Sequence, residues 1–173
     1  MVKRAVLGVL LAFATPVVAS SFKVQDSQQN ITITSQQIEY KTAENLCEIM
    51  GNAKAVWDTG QVITAHSFLV FLNDKNEIQK IDALPGGSEK VVYQKDDLTM
   101  HAEKCIYLTV PEEKIHCFDQ VHLVQKNGNT LDGDEGIVTV KTGHYKVISK
   151  TKRPVQAKVI PEKKTKEKVE RSA

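Results

Sequence analysis

The residues best able to do chemistry in this chain are four histidines, a short acidic run, two aromatic side chains in aliphatic surroundings, and three cysteines. His66, His101, His116 and His122 are possible zinc ligands, but only His101 and Glu103 have the i, i+2 spacing that sets two ligands on one face of a strand. Two ligands do not close a tetrahedral site. Asp132-Gly133-Asp134-Glu135-Gly136 is acidic enough for calcium, yet it lacks the D-x-[DN]-x-[DN]-G spacing that surrounds a cation with oxygens. Trp57 and Tyr93 could stack on a sugar ring, but a lone strand aromatic is more often a core residue. The chain has no G-x-S-x-G elbow, no G-x-x-x-x-G-K-[ST] phosphate loop and no H-E-x-x-H helix. No catalytic, metal or cofactor site follows from these residues, and the protein reads as a non-enzyme.

Cys47, Cys105 and Cys117 are odd in number. An oxidising compartment allows one disulfide and a spare thiol, with connectivity open. Cys105 and Cys117 flank the 111–114 turn at unequal distances, which sets them out of register in a simple hairpin. All three are read as small strand residues.

The elements that must position these side chains are strands. Ile31-Thr32-Ile33-Thr34 alternates with the period of a half-buried strand, and the pattern recurs at 38–41, 46–50, 53–57, 62–72 and 78–84. Beyond the Pro85-Gly86-Gly87-Ser88 break come 91–94, 98–110, 115–118, 120–125, 130–141 and 145–149. Asn127-Gly128 is a strong hairpin signal, because both residues tolerate positive φ. Helical periodicity is missing, and the turn spacing is that of sandwiches and barrels. Two sheets therefore bury their apolar faces against each other as a sandwich, or fold around a ligand. Ile31, Ile33, Ile38 and Ile63 are expected to point inward, as are Leu69, Val92, Tyr107 and Leu131. In the runs 68–72 and 137–140 either parity is available. The order strand, turn, long strand over residues 40–72 returns in looser form over 107–138, and residues 100–107 echo its last element. The shared signature is Ala or Gly, then an acid or His, then a polar residue, then apolar strand.

Charge divides the chain. Residues 150–173 carry a net +6 and residues 20–149 a net −6. So acidic a body lacks the clustered Lys and Arg that phosphate contacts require, and nucleic acid is excluded as a partner. Lys3-Arg4, the apolar run from Ala5 and the small residues Val17-Val18-Ala19 after Pro16 have the layout of a cleavable signal peptide. The expected organisation is a signal peptide at 1–19, a flexible segment at 20–30, one folded domain at 31–149, and a disordered basic tail at 150–173.

The elements Ile31-Thr32-Ile33-Thr34-Ser35, Gly51-Asn52-Ala53-Lys54-Ala55, Ile63-Thr64-Ala65-His66-Ser67, Val92-Tyr93-Gln94 and Leu131-Asp132-Gly133-Asp134 resemble the OstA-like family. The second G-N position of the family pattern is Asp119-Gln120 here, and His66 stands where an acid is commoner. The resemblance implies an all-β, open, twisted β-jelly roll in the periplasm of a Gram-negative bacterium. It implies a lipopolysaccharide transport protein that bridges the inner and outer membranes during outer-membrane assembly. Its apolar interior would hold the lipid A acyl chains, with Ile31, Ile33, Ile38, Ile63 and Leu69 lining one part of the groove and Val92, Tyr107, Thr109 and Leu131 the rest. Partners would be LptC-like and LptD-like proteins joined by end-to-end strand addition, and further copies of the chain joined head to tail. Competing readings are an LptC-like component tethered to the inner membrane, a jelly-roll metal- or sugar-dependent enzyme, and an assembly scaffold whose basic tail docks on anionic lipid.

Overall fold

The computed structural model describes residues 19–25 and 29–161. Among these there is no α-helix and one 3-10 turn, at Thr42–Glu44. The expected leader, Asp26 to Gln28, and the end of the expected tail beyond Pro161 lie outside the described residues. The strands are β1 (Ser20–Gln25), β2 (Asn30–Ser35), β3 (Gln37–Lys41), β4 (Leu46–Trp57) and β5 (Val62–Leu72). They continue as β6 (Ile78–Leu84), β7 (Val91–Lys95), β8 (Leu98–Ala102) and β9 (Lys104–Leu108). The last are β10 (Lys114–Gln125), β11 (Thr130–Thr139), β12 (His144–Ile148) and β13 (Gln156–Lys158).

All pairings are antiparallel and all belong to one sheet, whose order follows the chain. Several short elements are collinear halves of one strand. β2 and β3 both pair with β4, β6 and β7 with β5, β8 and β9 with β10, and β12 and β13 with β11. The interruptions fall at Gln36, at 85–90, at Glu103 and at 149–155. The unbroken strands carry register shifts at the same level, between Met50 and Ala53 in β4 and between Phe118 and Val121 in β10. A line of bends therefore crosses every strand, and the meander folds over along this crease into two facing half-sheets. The upper half holds β2, β7, β8 and β13, and the lower half β3, β6, β9 and β12. Because β6–β7 and β8–β9 are each interrupted, the pairings β5–β6–β9–β10–β8–β7 return to β5 as a closed ring of six elements. This is an all-β, open, twisted β-jelly roll.

The crease explains the repeated signature. Strict alternation across a bend would turn one half of each strand inside out. Instead the buried side steps by three residues, from Ser35 to Ile38, from Ala65 to Phe68, from Ala102 to Cys105 and from Gly133 to Gly136. Two polar residues in succession then face outward at the corner, which is where the acid or His and the polar residue of the signature stand. On the partner strands the bend is a bulge. Gly51 and Asn52 have φ of 80° and 50°, and Asp119 and Gln120 have 59° and 51°. Asp119-Gln120 thus occupies the bulge that Gly51-Asn52 forms in the first copy. Gln36 N–H donates to Gly51 O at 3.0 Å, and Glu103 N–H to Phe118 O and Asp119 O at 3.2 and 3.1 Å. A Cβ on Gly51 would stand 2.9 Å from Gln36 Cβ, so a side chain here would have to displace Gln36, whereas the second bulge takes positive φ without glycine.

Two expectations are corrected here. Cys105 and Cys117 face each other in the β9–β10 ladder and form a disulfide, with Cys47 buried and free. Lys114 pairs with Leu108, so the turn spans 109–113 and centres on Pro111, which makes the two cysteines equidistant from it. The flexible segment and the basic tail are also shorter than composition implied. Residues 20–25 form β1, and 156–158 form β13 on the edge of β11. Asp134 anchors the bend before β13. Its Oδ2 accepts from Lys150 N and Thr151 N at 2.7 and 2.8 Å and from Ser149 Oγ at 3.2 Å. Next to it, Glu135 is buried between His116 Nε2, at 3.1 Å, and Lys150 Nζ.

Reduction of the Cys105–Cys117 bond, which closes a short loop in the denatured chain, is expected to lower stability by roughly 3 kcal/mol. Urea unfolding with and without reductant measures this, and coincident midpoints would contradict the bond. The backbone N–H groups of Thr151 and Lys150 hold the Asp134 carboxyl below its ordinary value, and the Lys150 ammonium does the same for Glu135, joined by His116. A depressed carboxylate stabilises the fold fully above its ordinary pKa and loses that contribution as pH falls through the folded value. Asp134→Asn should therefore be less stable than the parent near neutral pH. The gap should close as pH drops below about 4, and a gap independent of pH would contradict the assignment.

Candidate functional site: the interior and its open end

The inner faces of the two half-sheets form one apolar interior. From the upper half come Ile31, Ile33, Trp57, Ile63, Tyr93 and Met100, and from the lower half Ile49, Phe68, Val70, Ile81, Tyr107 and Ile115, each at most 1% exposed. The halves are in direct contact. The Trp57 and Tyr107 rings meet edge to face at 5.0 Å between centroids. A Cβ on Gly136 would lie 2.7 Å from Met100 Sδ and 2.9 Å from Val121 Cγ1, so glycine here lets the lower half approach the upper.

Opposite the crease, the free margins are tied by polar side chains. Tyr107 Oη donates to Glu113 Oε1 at 2.6 Å, and Gln29 Nε2 donates to the same oxygen. Thr59 Oγ1 donates to Gln29 Oε1 at 2.8 Å, and Lys95 Nζ to Val140 O at 3.0 Å. At the C-terminal end, Tyr145 and Val147 of β12 pack against the core, and Gln125 Nε2 donates to Tyr145 Oη at 2.7 Å across the two halves. Among the described residues the N-terminal end is less complete. Phe22, Val24 and Leu72 line a cleft of about 420 Å3 there, with Lys23, Tyr40 and Asn76 at its lips. Tyr40 Oη donates to Asn76 Oδ1 at 3.3 Å across the far lip.

The sequence-derived groove residues divide by face. Ile31, Ile33, Ile63 and Tyr107 lie in the buried interior. Ile38 and Leu131 are half-buried against it. Leu69, Val92 and Thr109 are corrections. The three-residue step after Ala65 puts Phe68, Val70 and Leu72 inside, and Leu69 joins an outer row with Asp82, Ile106 and His116. Val91 and Tyr93 point inward, so Val92 lies outside beside Thr64 and His101. Thr109 ends the β6–β9 ladder, its hydroxyl donating to the carbonyls of Ile78 and Gln79 at 3.2 and 3.1 Å. Sequence reading passed over Phe22 and Val24, whose alternation with Lys23 is a strand signal. It also passed over Gln61, whose type points to a turn.

The histidines do not converge. His101, His122 and Asp132 share a lateral row on the outer upper face, with His122 Nδ1 and Asp132 Oδ1 at 2.6 Å. Burial, then the neighbouring His122 and Lys90, holds His101 below its ordinary pKa. No group of three or more His, Cys, Asp or Glu among the described residues is placed to hold a metal ion. Burial raises the Cys47 thiol, which keeps it protonated.

No protein-family model matches the chain, and no curated protein does. A solved structure does match it. This is LptH from Pseudomonas aeruginosa, described as the LptA-homologous periplasmic component of the conserved lipopolysaccharide transport device. The match has a TM-score of 0.65 and 12% identity, and covers 79% of this chain and 99% of LptH. Shared architecture with so little shared sequence is a likeness of fold, and the fold this chain has in common with LptH is the β-jelly roll of the LptA type.

Proposed function

We propose that the protein binds lipopolysaccharide and carries it across the periplasm, shielding the lipid A acyl chains between its half-sheets on the way to the outer membrane. The observation that carries this reading is the continuous apolar interior, covered at one end by side chains and, among the described residues, open as an apolar cleft at the other. The fold shared with a lipopolysaccharide-transport component supports it. A chain of about a dozen methylenes left in water costs on the order of 10 kcal/mol, at about 0.8 kcal/mol per CH2. A carrier through an aqueous compartment must therefore cover its cargo without a gap.

Side chains fill the interior, so cargo enters where the filling is least complete. Acyl chains start at Phe22, Val24 and Leu72 and advance as the margins part about the crease. The apolar faces then trade contact with each other for contact with lipid, which leaves the buried apolar area nearly conserved. Chain-to-chain transfer follows from the edges. β1 and β3 end the sheet on one side and β12 and β13 on the other, and among the described residues their outer edges are unpaired. An LptC-like or LptD-like partner, or a second copy, adds strands there. Such contacts do not close on themselves, so they build a bridge of indefinite length. The chain is a passive carrier on this reading, and an ATPase elsewhere drives movement.

Titration of the purified protein with lipopolysaccharide should show saturable binding. Phe22→Asp, at a half-buried position lining the cleft, should weaken it by about tenfold or more through a charge set in the acyl path. A photocrosslinking residue at Phe22 or Ile33 should capture lipopolysaccharide in cells. A Phe22→Asp variant that folds and binds like the parent, together with no lipid capture at either position, would refute the carrier reading.

A further inference from the structure

Beneath the tied margin, the interior face of the upper half-sheet holds three polar side chains that a purely apolar core has no need of. Trp57 and Gln61 close the β4–β5 turn together, Trp57 N–H donating to the Gln61 carbonyl at 3.0 Å. Tyr93 stands opposite Ile63 in the β5–β7 ladder, so it lies diagonally beside Gln61 on the same face. Gln61 and Tyr93 are 0% exposed and Trp57 1%. Yet Trp57 Nε1, both polar atoms of the Gln61 side chain and the Tyr93 hydroxyl have no hydrogen-bond partner among the described residues. Buried polar groups left unpaired are unfavourable, and native chains keep very few of them. Of the five such atoms among the described residues, four belong to these three neighbours on one face, and the fifth is Asp82 Oδ1 on β6. Burial pushes the Tyr93 phenol far above its ordinary value, with the Asp96 and Glu113 charges adding to the effect, so it stands as a neutral hydroxyl.

Building on the carrier reading, we propose that Trp57, Gln61 and Tyr93 form a polar receiving site for the acyl linkage of a bound amphiphile, and for an amide linkage above all. The inventory of atoms selects the linkage. The indole N–H and the Gln61 NH2 donate to a carbonyl oxygen, the Gln61 carbonyl accepts an N–H, and the Tyr93 hydroxyl does either. An amide presents a carbonyl and an N–H on adjacent atoms. An ester presents acceptors alone, and an ether link one weak acceptor. The location agrees with this. The patch lies between the polar margin, where a head group meets water, and the deeper row Ala55, Ile63, Tyr93 and Met100, over which a chain held by its linkage would run.

Trp57 is the only tryptophan of the chain, so its emission reports on the site directly. The full chain is titrated with N-dodecanoyl-glucosamine and with dodecyl glucoside, probes with a similar chain and hexose but joined by an amide or by a glycosidic oxygen, which like an ether oxygen accepts only weakly. The amide probe should shift Trp57 emission and bind roughly tenfold tighter, the factor expected for one or two well-made buried hydrogen bonds. Gln61→Leu should reduce that preference to near parity. The same variant should unfold at an equal or higher denaturant concentration than the parent, because an unpaired amide gives way to an apolar group of similar size. Equal affinity for the two probes in the parent, or a preference that survives Gln61→Leu, overturns the receiving site and leaves the carrier reading standing. Binding of neither probe overturns both. A markedly destabilised Gln61→Leu variant also overturns the site, since the amide would then serve the fold itself.

Discussion

Everything in this molecule depends on bending a sheet along one line without losing its ladder. A strand that turns a corner must keep its backbone groups paired and its apolar side chains on the concave side, and plain alternation cannot do both. The chain meets the two demands with bulges on β4 and β10 and with a three-residue step on their neighbours. Each bend costs little, because the outward positions it creates are filled by polar residues that bond across the crease. Asp134 holding the 149–151 turn is the clearest case.

The crease also determines how the interior can work. It is the covalently continuous side of the sandwich, whereas the opposite margin is held by a few side-chain hydrogen bonds around Glu113 and Val140. Solvent-accessible hydrogen bonds contribute about 1 kcal/mol each, while the apolar contact between the halves contributes far more. The state of the margin is thus governed chiefly by what the two apolar faces have to touch. Another apolar surface can stand in for the opposite face, and water cannot.

Much of this was legible in residue order. Alternation located nearly every strand. The signature of small residue, acid or His, polar residue and apolar strand proved to be the imprint of the crease, even where Asp119-Gln120 replaced Gly51-Asn52. What alternation could not convey was the step itself, so Leu69 was assigned to the wrong face, and Val91-Val92-Tyr93, apolar throughout, left Val92 with no parity of its own. A continuous apolar run such as 68–72 carries no parity of its own, and only pairing supplies one. The cysteine pair was missed through a turn centre displaced by a residue or two, which is enough to break register in a hairpin. Gln61 had no signal at all. A buried amide is recognised by what surrounds it, and those neighbours arrive from β4 and β7.

The order of the sheet is the order of the chain, with no crossover between distant strands. Every ladder is therefore a hairpin between consecutive segments, and loop-closure entropy is met in small steps. Such a chain can assemble by accretion, each new hairpin docking on an edge already formed, beginning from whichever end first becomes free. The edge left open at each stage serves, during folding, as the template for the next piece of the protein itself.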